Sequence, residues 1–141
     1  NVPLNATLKE CLDSLKDEEL LEGDNKWYND QTKTYQEAYK KYIYDVTPNE
    51  LIISFNRFNN LGKKLNNIVD FPVDFTIING KKYYLKGIGN HTGNMFGGHY
   101  YAYVKHGKQW YNYNDSSVQK INLTNLCSSN AYVLFYSLDE Y

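Results

Sequence analysis

Three residues offer most of the reactive chemistry in this sequence: His99, Asn114 and Asp115, all within GGHYYAYVKHGKQWYNYNDSS. An imidazole titrates close to neutral pH, so it can take a proton and hand it back. An amide or carboxylate on one ring nitrogen fixes the tautomer and leaves the other nitrogen free to act as a base. Such a pair is half of a nucleophilic triad. Gly97 and Gly98 precede the histidine and remove side chains beside it, so a backbone or a substrate tail can come close. The competing reading is plain: a tyrosine-rich hairpin in which a histidine and an asparagine satisfy each other.

The pair depends on the elements that carry it. HYYAYVK and QWYNYN read as strands joined by a turn at His106-Gly107-Lys108. A hairpin turning near residue 107 sets His99 across from Asn114, within hydrogen-bond reach. Alternation then predicts Tyr101, Tyr103, Tyr111 and Tyr113 on one face, with Tyr100, Ala102, Asn112 and Asn114 on the other. FPVDFTII and KKYYLKGI flank Asn79-Gly80, the favoured pair for a tight hairpin turn. ELIISFNRF, after Pro48, and AYVLFYSL read as further strands.

Ahead of the strands, TLKECLDSLKDEELLEG has a capping box in Thr7 and Glu10. Its Leu8, Cys11, Leu12 and Leu15 recur at helical spacing, and Gly23 stops it. TYQEAYKKYIY predicts a second helix running to Tyr44. Asn59–Asn67, NNLGKKLNN, predicts a loose loop. Helices first and antiparallel strands after them predict one domain of the α+β class.

The chain has 141 residues and a net charge of −1, which gives no electrostatic footprint for nucleic acid or an anionic membrane. No apolar run reaches the roughly 18 residues of a spanning helix. The start, NVPLNATLKECL, lacks the basic and apolar regions of a signal peptide, and position 1 is not Met. Cys11 and Cys127 match no metal spacing and read as ordinary buried thiols. These features fit a cytoplasmic or nuclear protein without a cofactor. The aromatic stripe also allows a carbohydrate-binding sheet.

Taken together and in order, the segments resemble the C-terminal half of the ubiquitin-specific protease catalytic domain. TLKECLDSLKDEELLEGDNKWY is similar to the segment leading into that family's fingers. TYQEAYKKYIYDVTPNELIISFNRF, KKLNNIVDFPVDF, YYLKGIGNHTGNMFGGHYYAYV, QWYNYNDSSV and AYVLFY are similar to successive later segments. The resemblance implies a papain-like cysteine protease fold, of which residues 1–141 supply the helix-plus-sheet half with the palm and part of the fingers. It implies a deubiquitinase that cleaves after the terminal glycine of ubiquitin, with ubiquitin or a ubiquitinated protein as partner. His99 would be the general base, Asn114 the third triad member and Asp115 an adjacent acid. Gly97, Gly98 and Tyr100 would border the channel for ubiquitin's Gly-Gly tail, with 93–98 and 59–66 as covering loops.

Two departures qualify the resemblance. The family's nucleophile sits in a box of Asn and Cys that this sequence lacks, so an N-terminal Cys-bearing half is implied as a partner. Its absence also leaves open a catalytically dead ubiquitin-binding or scaffold module. The family's fingers carry a Cys-x-x-Cys where this chain has Asn29-Asp30-Gln31-Thr32, so no zinc is expected.

Overall fold

The computed structural model describes residues 3–43, 45 and 47–140. Eleven strands and one short α-helix are present among them. The helix, α1 (Leu8–Asp13), starts at the predicted capping box. Thr7 N–H donates to Glu10 Oε2 at 2.9 Å, and Glu10 N–H donates to Thr7 Oγ1 at 3.2 Å. Leu8 and Cys11 turn inward from it.

The helix ends ten residues before the predicted stop at Gly23. A 3₁₀ turn, Ser14–Lys16, follows, and then the chain is extended. Strand β1 (Glu19–Leu21) pairs with β4 (Ala38–Lys40), and β2 (Trp27–Asn29) pairs with β3 (Thr34–Gln36). The second predicted helix is therefore wrong over residues 34–40, and Tyr44 lies outside the described residues. The reason is aromatic pairing across strands. Tyr35 meets the Tyr28 ring edge-on at 5.1 Å, and Tyr39 stands opposite Leu20. A short isolated helix has no comparable support.

The main sheet has seven strands, all antiparallel. They are β5 (Glu50–Ser54), β6 (Phe75–Ile78), β7 (Lys81–Asn94), β8 (Gly97–His106), β9 (Gln109–Asn114), β10 (Ser117–Ile121) and β11 (Ala131–Ser137). Their order across the sheet is β10-β9-β8-β7-β11-β5, with β6 against the start of β7. Asn79 and Gly80 form the predicted turn, both with positive φ, +50° and +75°. With so much antiparallel sheet and one short helix, the chain is mostly β rather than evenly α+β.

Ile53, Leu85, Ile88, Trp110, Leu134 and Tyr136 form one side of the core, and α1 closes it with Leu8 and Cys11. Arg57 is fully buried there, donating to the backbone oxygens of Ala131, Leu65 and Asn67. The stretch predicted as a loose loop, 59–67, is a hydrogen-bonded turn instead. Asn59 Oδ1 accepts from the Leu61 and Lys63 N–H groups, and buried Lys64 donates to the His91 carbonyl.

Candidate active site

β8, β9 and the β9–β10 turn position the candidate residues. β8 and β9 close on a two-residue turn, Gly107-Lys108, with His106 opposite Gln109. Ala102 pairs with Tyr113, and Tyr103 with Asn112. This register differs by one residue from one centred on a three-residue turn, and such a slip exchanges faces. The predicted faces are corrected accordingly. Tyr101 and Tyr103 share a face with Asn112 and Asn114, while Tyr111 and Tyr113 share the other with Tyr100 and Ala102.

The corrected register still brings the predicted pair together. Tyr101 lies on the same face as Asn114, and His99 lies two residues further along β8, on that face again. His99 reaches Asn114 diagonally, with Nε2 2.5 Å from Oδ1. The carbonyl oxygen of the amide can only accept, so Nε2 is the nitrogen that carries the proton and Nδ1 holds the lone pair. Asp115 Oδ2 lies 3.9 Å from Nε2, beyond hydrogen-bond length. The His99 side chain is 46% exposed and that of Asp115 81%, so water screens this contact.

Asp115 also has a purely local reason to be there. It opens the two-residue turn into β10 at φ +51°, and Ser117 pairs with Asn114 behind it. Aspartate is among the few residues that tolerate this left-handed conformation.

Gly97, Gly98 and Tyr100 lie beside His99 on β8, and the two glycines differ. A Cβ on Gly97 would meet nothing within 4 Å. One on Gly98 would stand 2.3 Å from His91 Nε2 and 2.2 Å from the Thr92 oxygen. What Gly98 admits is therefore the His91 ring. Tyr100, on the same face as Gly98, covers that ring at 4.5 Å and is 63% exposed. His91 is buried, and its Nδ1 has no hydrogen-bond partner. Burial, with the nearby Lys64 ammonium adding to it, holds its pKa below the ordinary value. His106, at the far end of β8, bonds Tyr113 at 2.9 Å.

Neither thiol is suited to act as a nucleophile. Cys11 is fully buried in the core, and burial pushes its pKa up. Cys127 donates to the Phe71 carbonyl at 3.4 Å, and burial raises it as well. Reactive cysteines need the opposite, a lowered pKa and access. The turn where the resemblance implies zinc ligands is filled by amides and hydroxyls. Asn29 Oδ1 accepts from Gln31 N–H at 2.9 Å, Asn29 Nδ2 donates to Gln36 Oε1, and Gln36 Nε2 donates to Thr32 Oγ1. These residues do not fit a zinc ion. Among the described residues, no group of three or more His, Cys, Asp or Glu could hold a metal. No helix there is long and apolar enough to cross a membrane.

The sequence model of one family, ubiquitin carboxyl-terminal hydrolase, matches residues 8–136. The chain belongs to that family. It is 38% identical over 146 residues to ubiquitin carboxyl-terminal hydrolase 8 of Arabidopsis thaliana, covering 94% of this chain and 17% of that protein. Against ubiquitin carboxyl-terminal hydrolase 15 of Homo sapiens the identity is 35% over 148 residues, covering 94% and 15%. A chain of the SAGA DUB module Ubp8/Sgf11/Sus1/Sgf73 bound to monoubiquitin superposes with a TM-score of 0.77 at 30% identity. That match covers 96% of this chain and 34% of the other. The chain thus spans about a sixth of the length of these curated relatives.

Proposed function

We propose that this chain is the C-terminal, histidine-bearing part of a cysteine-type deubiquitinase, cleaving after the terminal glycine of ubiquitin. The observation that carries the reading is the His99–Asn114 contact, made on a chain of the ubiquitin carboxyl-terminal hydrolase family. Asn114 occupies Nε2, so Nδ1 is the base. It takes the proton of a thiol supplied by a segment outside this chain, and the thiolate attacks the glycine carbonyl. Nδ1–H then protonates the leaving amine, and water, deprotonated by the same nitrogen, hydrolyses the thioester. Asn114 fixes the ring, and Asp115 stands beside it as the adjacent acid. Gly97, Gly98 and Tyr100 border the path of the ubiquitin tail. The partners are ubiquitin or a ubiquitinated protein and the Cys-bearing half, in the cytoplasm or nucleus.

The test is turnover of a fluorogenic ubiquitin C-terminal amide. The 141 residues alone are expected to be inactive. With the Cys-bearing segment present, His99→Ala should lose roughly 10²–10⁴-fold in kcat, the usual worth of a general base. Asn114→Ala and Asp115→Ala should lose less, and His106→Ala little. Turnover by the isolated chain after alkylation of Cys11 and Cys127, or an equal loss at His106, would sink the assignment. Ubiquitin binding without turnover in the whole protein would instead support a catalytically dead binding module.

A further inference from the structure

His99 is an exposed ring held by a single hydrogen bond to Asn114. One hydrogen bond fixes the position of one nitrogen but leaves the ring free to rock about that contact. A base whose free nitrogen must meet a thiol needs its plane fixed too. The groups around the ring are few. Asn114 and Asp115 face it from the β9–β10 turn. On β7, Thr92 Oγ1 donates to the His99 backbone oxygen at 3.4 Å. Tyr101, two residues along the same strand, lies nearly parallel to the imidazole, at 20° and 6.4 Å between ring centres.

Tyr101 is itself held at two points. Asn130 Nδ2 donates to its hydroxyl at 3.1 Å, and the Tyr103 ring meets it edge-on at 5.5 Å. The Tyr103 phenol, pushed up to about 12 chiefly by burial and further by the neighbouring Tyr101 phenol, stays protonated and polar at any working pH. Asn130 is anchored in turn. Its carbonyl accepts from the His91 N–H at 2.9 Å, and its own N–H donates to Ser128 Oγ at 3.2 Å. A continuous series of contacts therefore runs from the start of β11, through Asn130 and Tyr101, to the face of His99.

We propose that Tyr101, pinned by Asn130, is a positioning residue that fixes the plane of the His99 imidazole, so that Nε2 stays on Asn114 and Nδ1 stays outward. Its relevance to turnover rests on the reading of His99 as the base, but the ring geometry can be measured without turnover. The experiment is nitrogen NMR of the 141-residue chain labelled with ¹⁵N-histidine, at pH 8.5, for wild type, Tyr101→Ala, Tyr101→Phe and Asn130→Ala. Wild type should show His99 mainly as the Nε2–H tautomer. Tyr101→Ala should bring the two His99 nitrogen shifts towards a common value, as the ring exchanges tautomers. Tyr101→Phe and Asn130→Ala, which keep a ring but remove the pin, should fall between.

Unchanged His99 shifts in Tyr101→Ala overturn the proposal. Should that variant not fold, unchanged shifts in both Tyr101→Phe and Asn130→Ala overturn it equally. In the whole protein, Tyr101→Ala should lower kcat by about tenfold or more with KM nearly constant, because misplacing a reacting group by about an ångström is costly to the chemical step. An ordered His99 in a whole protein without turnover removes the hydrolase reading and leaves the positioning role intact.

Discussion

Adding one methyl group at Gly98 forces either the His91 ring or the β7 backbone to move, since the new carbon would stand about a bond and a half from each. Overpacking of this kind costs about 1–3 kcal/mol, so Gly98→Ala should melt several degrees lower in a thermal scan. Gly97→Ala meets open space and should melt with wild type. His91 makes a second prediction. Its pKa in the folded chain is held below 6.5, first by burial and then by Lys64. As pH falls through about 6.5, the unfolded chain gains a proton that the folded chain refuses. Folding stability should therefore fall with pH below that value, and His91→Gln should remove part of that slope in urea titrations. An unaltered slope in the variant would contradict it. The residue types of the candidate site were legible because a His behind two glycines and an Asn-Asp pair are unusual. The packing role of Gly98 was not, because it depends on His91, which meets it only once β7 and β8 are paired.

At the scale of elements, hairpins were easier to read than helices. Asn79-Gly80 carries its own conformational demand, so the turn could be located from two residues. Thr7 and Glu10 likewise marked a helix start, but nothing local marked its end. Leu20 and Leu21 fell within the stretch read as helical and pair instead with Tyr39 and Ala38. The face exchange in β8 and β9 came from a single residue of turn length, which composition does not encode. The β2–β3 hairpin gives a prediction at this scale. Asn29, Thr32 and Gln36 close it with side-chain hydrogen bonds, where thiolates would hold a metal. Chelators should leave the melting temperature unchanged, and Asn29→Ala should lower the folding stability by about 1 kcal/mol per lost bond. A drop in melting temperature on chelation would show that a metal contributes to stability.

At the scale of the molecule, β11 lies between β7 and β5 and is the latest strand in the sequence. It pairs with both along most of its length, and its Leu134 and Tyr136 are among the most buried side chains. Ending the chain before Ala131 should abolish cooperative unfolding, because β5 then has no neighbour in the main sheet. A truncated chain that still unfolds in one sharp transition would refute this. The same placement has a temporal consequence. On a ribosome, β5 and β7 emerge with a vacant slot between them, and it stays vacant until the residues of β11 are made. Pairings this distant in sequence close slowly, and the open edges stay exposed while they wait. Synthesis of this chain thus carries a built-in delay: its histidine is translated well before the sheet that must hold it can exist.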